Sequence, residues 1–179
     1  MKPIQGKRKK TDADHEELSR IEWLAGLYRT HDDIVIPAHV LEGAFVAGAK
    51  KTKRGIQAKS GAFFSTHASL LFPGKPQVID DDSLAELFKS DEHTFTTGVC
   101  VNAKRIMRTR PIFRSWSLVA SLQYDPDVFN AREIQQIWLD TGRLVGIGDW
   151  RPKYGRFTAT PVIDTPVIPD SVPQMLLAV

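Results

Sequence analysis

Trp116-Ser117-Leu118-Val119-Ala120-Ser121-Leu122-Gln123-Tyr124, then Asp125-Pro126-Asp127 and Asn130 to Gly142, is the stretch on which the fold turns. Trp116, Leu118, Ala120, Leu122 and Tyr124 alternate with Ser117, Val119, Ser121 and Gln123. A period of two predicts a strand with one buried face. Asp125-Pro126-Asp127 ends it. Asn130 and Glu133 stand at capping-box spacing, with Asn in place of the usual Ser or Thr. Ile134, Ile137, Trp138 and Thr141 then share one helix face, and Gly142 stops the helix.

Upstream, Thr94 to Asn102 reads as another strand. Downstream, a Gly-rich loop leads into a strand over 156–163, whose Pro161 belongs at a sheet edge. Near the start, Ile34-Val35-Ile36 reads as a short strand and Pro37 as the first turn of a helix over 38–51. Leu41, Ala44, Phe45 and Gly48 form its inner face. A leading helix begins near Asp12 or Asp14, with Leu18, Ile21, Leu24, Ala25 and Tyr28 on one side. Ala62–Thr66 and Ala68–Phe72 read as two short strands, with a turn at Phe72-Pro73-Gly74. Asp80-Asp81-Asp82-Ser83 lacks the alternate ligands and the glycine of a calcium loop. It reads instead as the cap of a helix over 83–89.

The order is therefore β (34–36), α (38–51), an insertion (55–92), β (94–102), β (115–124), α (130–142), β (156–163). This βαββαβ order predicts an α+β, ferredoxin-like core, an antiparallel sheet with two helices on one face. Residues 12–163 are read as one domain, 1–11 as a basic flexible arm and 164–179 as a Pro-rich extended tail. A chain of 179 residues suits a single domain with a core of its own. The 42% hydrophobic and 25% charged composition excludes collagen-like, disordered and disulfide-scaffold classes. Cys100, alone, fits a reducing compartment, and its apolar mid-strand neighbours predict a packing role. No apolar run is long enough for a bilayer, and no apolar segment follows the basic N-terminus. The expectation is a cytoplasmic protein with no membrane partner and no cofactor.

A net charge of +3 conceals a strong segregation. Most of the 24 cations lie in four segments, 2–10, 50–59, 104–114 and 143–156, whose sole acid is Asp149. Part of the 50–59 run is explained by the helix C-terminus, where cations are favoured. Four runs nearly free of acid nevertheless point to a polyanion partner.

In a βαββαβ fold the connections 103–114 and 143–155 emerge at the same end of the sheet. The expected site therefore joins Lys104, Arg105, Arg108, Arg110 and Arg114 to Gly146, Gly148, Trp150, Arg151, Lys153, Tyr154, Gly155 and Arg156. Glycines permit close backbone approach and an anion nest. Arg151, Lys153 and Arg156 would neutralise phosphates, and Trp150 and Tyr154 would stack on bases. Phe157 is read as core. Met107 and Phe113 read either as wedges between bases or as anchors of the loop. Some of the 104–114 arginines could instead pair with the acids of 80–92.

Evidence for an enzyme is thin. His39 and Glu42 share a helix face but lack further metal ligands nearby. His31 or His39 could serve a metal-independent ribonuclease as general base. There is no P-loop, and Gly146-Ile147-Gly148-Asp149-Trp150-Arg151 misses the third glycine of the dinucleotide fingerprint. No catalytic residue and no metal site is assigned.

The segment Leu144-Val-Gly-Ile-Gly-Asp-Trp-Arg-Pro-Lys-Tyr-Gly-Arg-Phe157, with Ile36-Pro37-Ala38-His39-Val40-Leu41-Glu42-Gly43-Ala44, resembles the repeat-associated mysterious protein superfamily. That superfamily includes RNA-binding backbone subunits and crRNA-processing nucleases of CRISPR systems. The similarity covers roughly 34–60 and 94–163. It implies binding of single-stranded RNA by the Gly-rich loop and the 104–114 hairpin, and polymerisation along the strand. The chain is short for a backbone subunit, and it is also similar to small tailed-phage and prophage proteins. Two expectations follow: a non-enzymatic nucleic-acid-binding protein, or an assembly subunit of a phage particle or multi-subunit complex that uses the basic segments for subunit contacts. A homo-oligomer is compatible with both.

Overall fold

The computed structural model describes residues 10–164 and 174–178, with side chains through residue 160. In chain order the elements are α1 (Asp12–Gly26), β1 (Val35–Ile36), α2 (Ala38–Ala49), α3 (Gly55–Gly61), β2 (Ala62–Phe64), β3 (Ala68–Ser69), α4 (Asp81–Lys89), β4 (Thr94–Val101), β5 (Lys104–Pro111), β6 (Val119–Tyr124), α5 (Ala131–Asp140), β7 (Thr160–Asp164) and β8 (Gln174–Ala178). A 3-10 turn, Lys50–Thr52, extends α2, and a π turn, Thr141–Val145, extends α5. The fold mixes helices with small antiparallel sheets. It divides into two compact units, Met1–Ile34 with Phe72–Ser115, and Val35–Leu71 with Trp116–Val179.

The second unit is built on the stretch that the sequence singles out. Leu118, Ala120, Leu122 and Tyr124 are buried and Val119 is exposed, as the alternation requires. Asn130 and Glu133 form the reciprocal capping box at the start of α5. Ile134, Ile137, Trp138 and Thr141 are buried beneath it. Leu41, Ala44 and Phe45 of α2 join them in one core. Phe45 lies 5.4 Å from Trp138 between ring centres, and Phe64 meets the same indole edge-on at 5.7 Å. Fully burying such side chains contributes about 1.5–3 kcal/mol each.

The sheet order differs from the expected one. A four-stranded antiparallel sheet runs β2-β6-β8-β7, while β1-β3 and β4-β5 are separate two-stranded pairs. The strands at 35–36 and 94–101, which the βαββαβ reading places beside β6, thus pair elsewhere. Residues 35–36 pair with 68–69 of the insertion, and 94–101 are taken by residues 104–111. These form a strand rather than a turn, and they pair with β4 over its whole length. The expected strand over 156–163 begins only at Thr160, although β7 does take the sheet edge that suits Pro161. Residues 174–178, read as extended tail, form β8 between β6 and β7. The arm over 1–11 lies almost wholly outside the described residues, as does 165–173 of the tail. The insertion contains a helix, α3, that periodicity did not reveal.

The first unit is a long hairpin with helices. Thr11 caps α1 through a reciprocal box with Asp14. The side of α1 that is buried centres on Trp23 and Leu27 rather than on the expected Leu18–Tyr28 face; Tyr28 is exposed. Trp23 donates its indole N–H to the His93 carbonyl at 2.9 Å and meets Phe88 edge-on. Asp80 caps α4 as expected, its carboxylate accepting the Ser83 N–H at 2.8 Å. Hydrogen bonding to that N–H lowers the Asp80 pKa.

Candidate nucleic-acid interface

The two arginine-rich segments expected to meet belong to different units and to no common sheet. Each is therefore taken by itself.

In the first unit, Asn102 and Ala103 turn the chain with φ of 50° and 61°, the left-handed pair that a two-residue hairpin needs. Lys104 and Arg105 follow on the exposed tip. Arg105 lies across the strand pair over Gly98, where a β-carbon would stand 2.8 Å from its Nε. Arg108 and Arg110 have a different task. Glu22 of α1 pairs with the Arg108 guanidinium, accepts the Thr109 N–H at 3.0 Å, and lies 4.0 Å from Arg110. One carboxylate thus holds a β5 edge donor and neutralises charge on the ribbon. Glu22 is thus an intramolecular partner of both arginines. Phe113 is an anchor, 4.5 Å from Phe72 and 5.7 Å from His93, whereas Met107 is 62% exposed. Cys100, expected to pack, is exposed near the tip. Arg114 is exposed.

In the second unit, the Gly-rich loop is closed by its own backbone. The Gly146 N–H bonds the Thr141 carbonyl and the Ile147 N–H bonds the Gly155 carbonyl, each at 2.8 Å. Gly155 has φ +73°, and a β-carbon there would lie 1.7 Å from the Ile147 carbonyl oxygen. Gly146 and Gly155 therefore serve loop closure, and the Gly146 and Ile147 N–H groups are committed within the chain instead of to an anion nest. Gly148 differs: its φ is +80°, but the space beside it is open.

This closed loop displays charge. Arg151, Lys153 and Arg156 are exposed. Among the described residues no carboxylate pairs with them; Arg156 donates through Nε to the Pro152 carbonyl at 2.9 Å. Trp150 and Tyr154, both half-buried, hold their rings 6.0 Å apart, and the Lys153 ammonium sits 5.4 Å over Tyr154. Beside the loop lies an open groove of about 620 Å³ whose lining includes Gln136, Asp140, Arg143, Arg156, Phe157 and Thr158. Arg143 pairs with Asp140 at 3.0 Å. Phe157 packs against Trp116 and Trp138, in line with its reading as core.

The other basic run of the unit follows α2, whose inner face packs on the π turn that leads into this loop. Gly48 near the end of α2 abuts Thr141, where the π turn begins. Lys50 follows two residues after Gly48, and Arg143 two residues after Thr141. Arg54, in the same run, is structural: it pairs with Glu133, donates to the Val128 carbonyl at 2.8 Å and lies 4.4 Å over the Phe129 ring. The run is plain in the sequence, yet no site is readable there, because the turn at Lys53 and the packing of Lys50 on Gly55 that gather its lysines are set by backbone conformation.

The histidines carry no shared arrangement. His31 lies exposed beside Asp32 at 2.6 Å, in the first unit. In the second, Glu42 accepts the Phe64 N–H and His67 accepts the Ala38 N–H, so Glu42 is committed to holding β2. Among the described residues no three His, Cys, Asp or Glu side chains gather as metal ligands, and no helix is long and apolar enough to cross a membrane. No protein-family model, no curated protein and no solved structure matches the chain.

Proposed function

We propose that this protein binds single-stranded nucleic acid without catalysing a reaction, and that the Gly-rich loop of the second unit is its main contact. The observation that carries this reading is the trio Arg151, Lys153 and Arg156, exposed, unpaired with acid among the described residues, and set about the Trp150–Tyr154 ring pair. Guanidinium and ammonium groups neutralise phosphates, and an aromatic face stacks on any base, which gives affinity without sequence selection. The adjoining groove offers a base the Phe157 ring edge and the polar groups of Gln136 and Thr158. The resemblance of the loop to RNA-binding repeat-associated proteins makes RNA the first probe.

Lys104 and Arg105 add a second, smaller contact on the hairpin tip. Arg108 and Arg110 contribute less, since Glu22 already offsets their charge. Replacing Arg151, Lys153 and Arg156 together by Gln should lower the salt dependence of binding by about two units on a logarithmic plot, at roughly 0.7 for each phosphate no longer neutralised. An unaltered slope with bound strand would show that the strand is held elsewhere.

One observation favours assembly as a second reading. Met107 on β5 is 62% exposed, an apolar side chain suited to a neighbouring subunit. Light scattering of nucleic-acid-free protein, before and after Met107→Asp, tests it: a large particle that the substitution dissolves supports assembly.

A further inference from the structure

Lys50, Lys53 and Lys59 line one concavity of about 250 Å³, together with Gly55 and Ile56. None of these lining residues is acidic, and among the described residues no carboxylate pairs with the three lysines. Two local features build the arrangement. The stem of Lys50 crosses Gly55, where a β-carbon would lie 2.5 Å from Lys50 Cγ, so the missing side chain gives the lysine its path. Lys53 ends the 3-10 turn in the left-handed region at φ 62°, which turns the chain from α2 into α3 and brings Lys59 round to the same hollow. Arg54, between them, points the other way into Glu133 and Phe129. The run is thus sorted: Arg54 serves the core, Lys50, Lys53 and Lys59 line a common space, and Lys51 is exposed outside it.

Helix C-termini favour cations, which accounts for Lys50. It does not account for three lysines lining one hollow with no acid in the lining, because like charges brought together repel unless an anion enters. Ile56, 87% exposed, adds apolar surface on which a sugar or base can rest.

We infer that the Lys50–Lys53–Lys59 concavity is a second phosphate-binding site for the nucleic acid that the Arg151–Arg156 loop takes. The inference rests on the proposed nucleic-acid binding and assigns a ligand class to this corner, the phosphodiester backbone.

The test compares three full-length variants on a fluorescent single-stranded RNA of mixed sequence, by anisotropy over a salt series. They are K50Q/K53Q/K59Q, its charge-preserving counterpart K50R/K53R/K59R, and R151Q/K153Q/R156Q. Each glutamine triple should reduce the slope of log affinity against log salt by about two, at roughly 0.7 per phosphate. The arginine triple should keep the slope of the native protein, which separates loss of charge from loss of the Lys50 packing on Gly55. If K50Q/K53Q/K59Q leaves the slope unchanged while the loop triple lowers it, the second site is overturned and the proposed function stands. If neither triple changes it, or the native protein does not bind, both fall.

Discussion

Gly48 and Thr141 pack so closely that a β-carbon on Gly48 would stand 1.9 Å from the Thr141 hydroxyl oxygen. That hydroxyl is fully buried and donates to the Ile137 carbonyl at 2.7 Å. Gly48→Ala must therefore displace a committed group, and should destabilise the protein by about 1–3 kcal/mol, the usual range for overpacking. Thr141→Ala removes the obstructing oxygen. In a double-mutant cycle read by urea unfolding, the two changes together should cost less than their sum, by about 0.5–3 kcal/mol of coupling. Additive costs would mean that the contact is not the one described.

Gly148 and Gly155 share a positive φ but not an environment. Gly148→Ala meets open space and should cost about 1–2 kcal/mol, the penalty of a left-handed backbone for a residue with a β-carbon. Gly155→Ala drives that atom into the Ile147 carbonyl and should cost clearly more. Chemical denaturation of the two single variants gives the order; equal losses would contradict the closed-loop geometry.

Glu22 serves three partners on β5. Its replacement by Ala strands the Thr109 N–H and removes the carboxylate that pairs with Arg108. The expected loss is about 1–3 kcal/mol of stability, as for an unsatisfied donor. The same variant restores positive charge to the ribbon, so its affinity for a single strand should rise rather than fall. A fall in affinity at unchanged fold would place Glu22 in the contact itself.

What the sequence makes legible follows from where the determinants lie. The β6 alternation, the Asn130–Glu133 cap and the Asp80 cap are readable because each is decided within a few residues. Residues 104–111 mislead because the five cations of 104–114 look like a loop. They form a strand since the β4 partner and Glu22, many residues upstream, satisfy their backbone and charge. The expected ferredoxin-like order fails there, and also because 68–69 pair with 35–36 and 174–178 pair with β6. At the site, loop glycines and cations are recognisable by type. The lysine corner is not, because it is gathered by the left-handed Lys53 and by the Lys50 stem crossing Gly55.

Glu133 gives a pH dependence of known sign. The Asn130 backbone N–H, and then the Arg54 guanidinium, hold its carboxyl below the ordinary value of 4.5. The folded state binds fewer protons than the unfolded chain in that region, so this contribution is complete above the ordinary carboxyl range and is lost as pH falls through the lowered value. In acid titrations followed by circular dichroism, Glu133→Gln should reduce the steepness of unfolding below that range and leave neutral pH profiles parallel. Identical acid limbs would remove Glu133 from the account.

The most direct measurement is the affinity of the native protein for single-stranded RNA as salt is raised, starting at about 50 mM. Six exposed cations, Lys50, Lys53, Lys59, Arg151, Lys153 and Arg156, predict a linear fall in log affinity with a slope of about four against log salt. Absence of binding at micromolar protein and low salt, or affinity that salt does not change, would contradict the central claim.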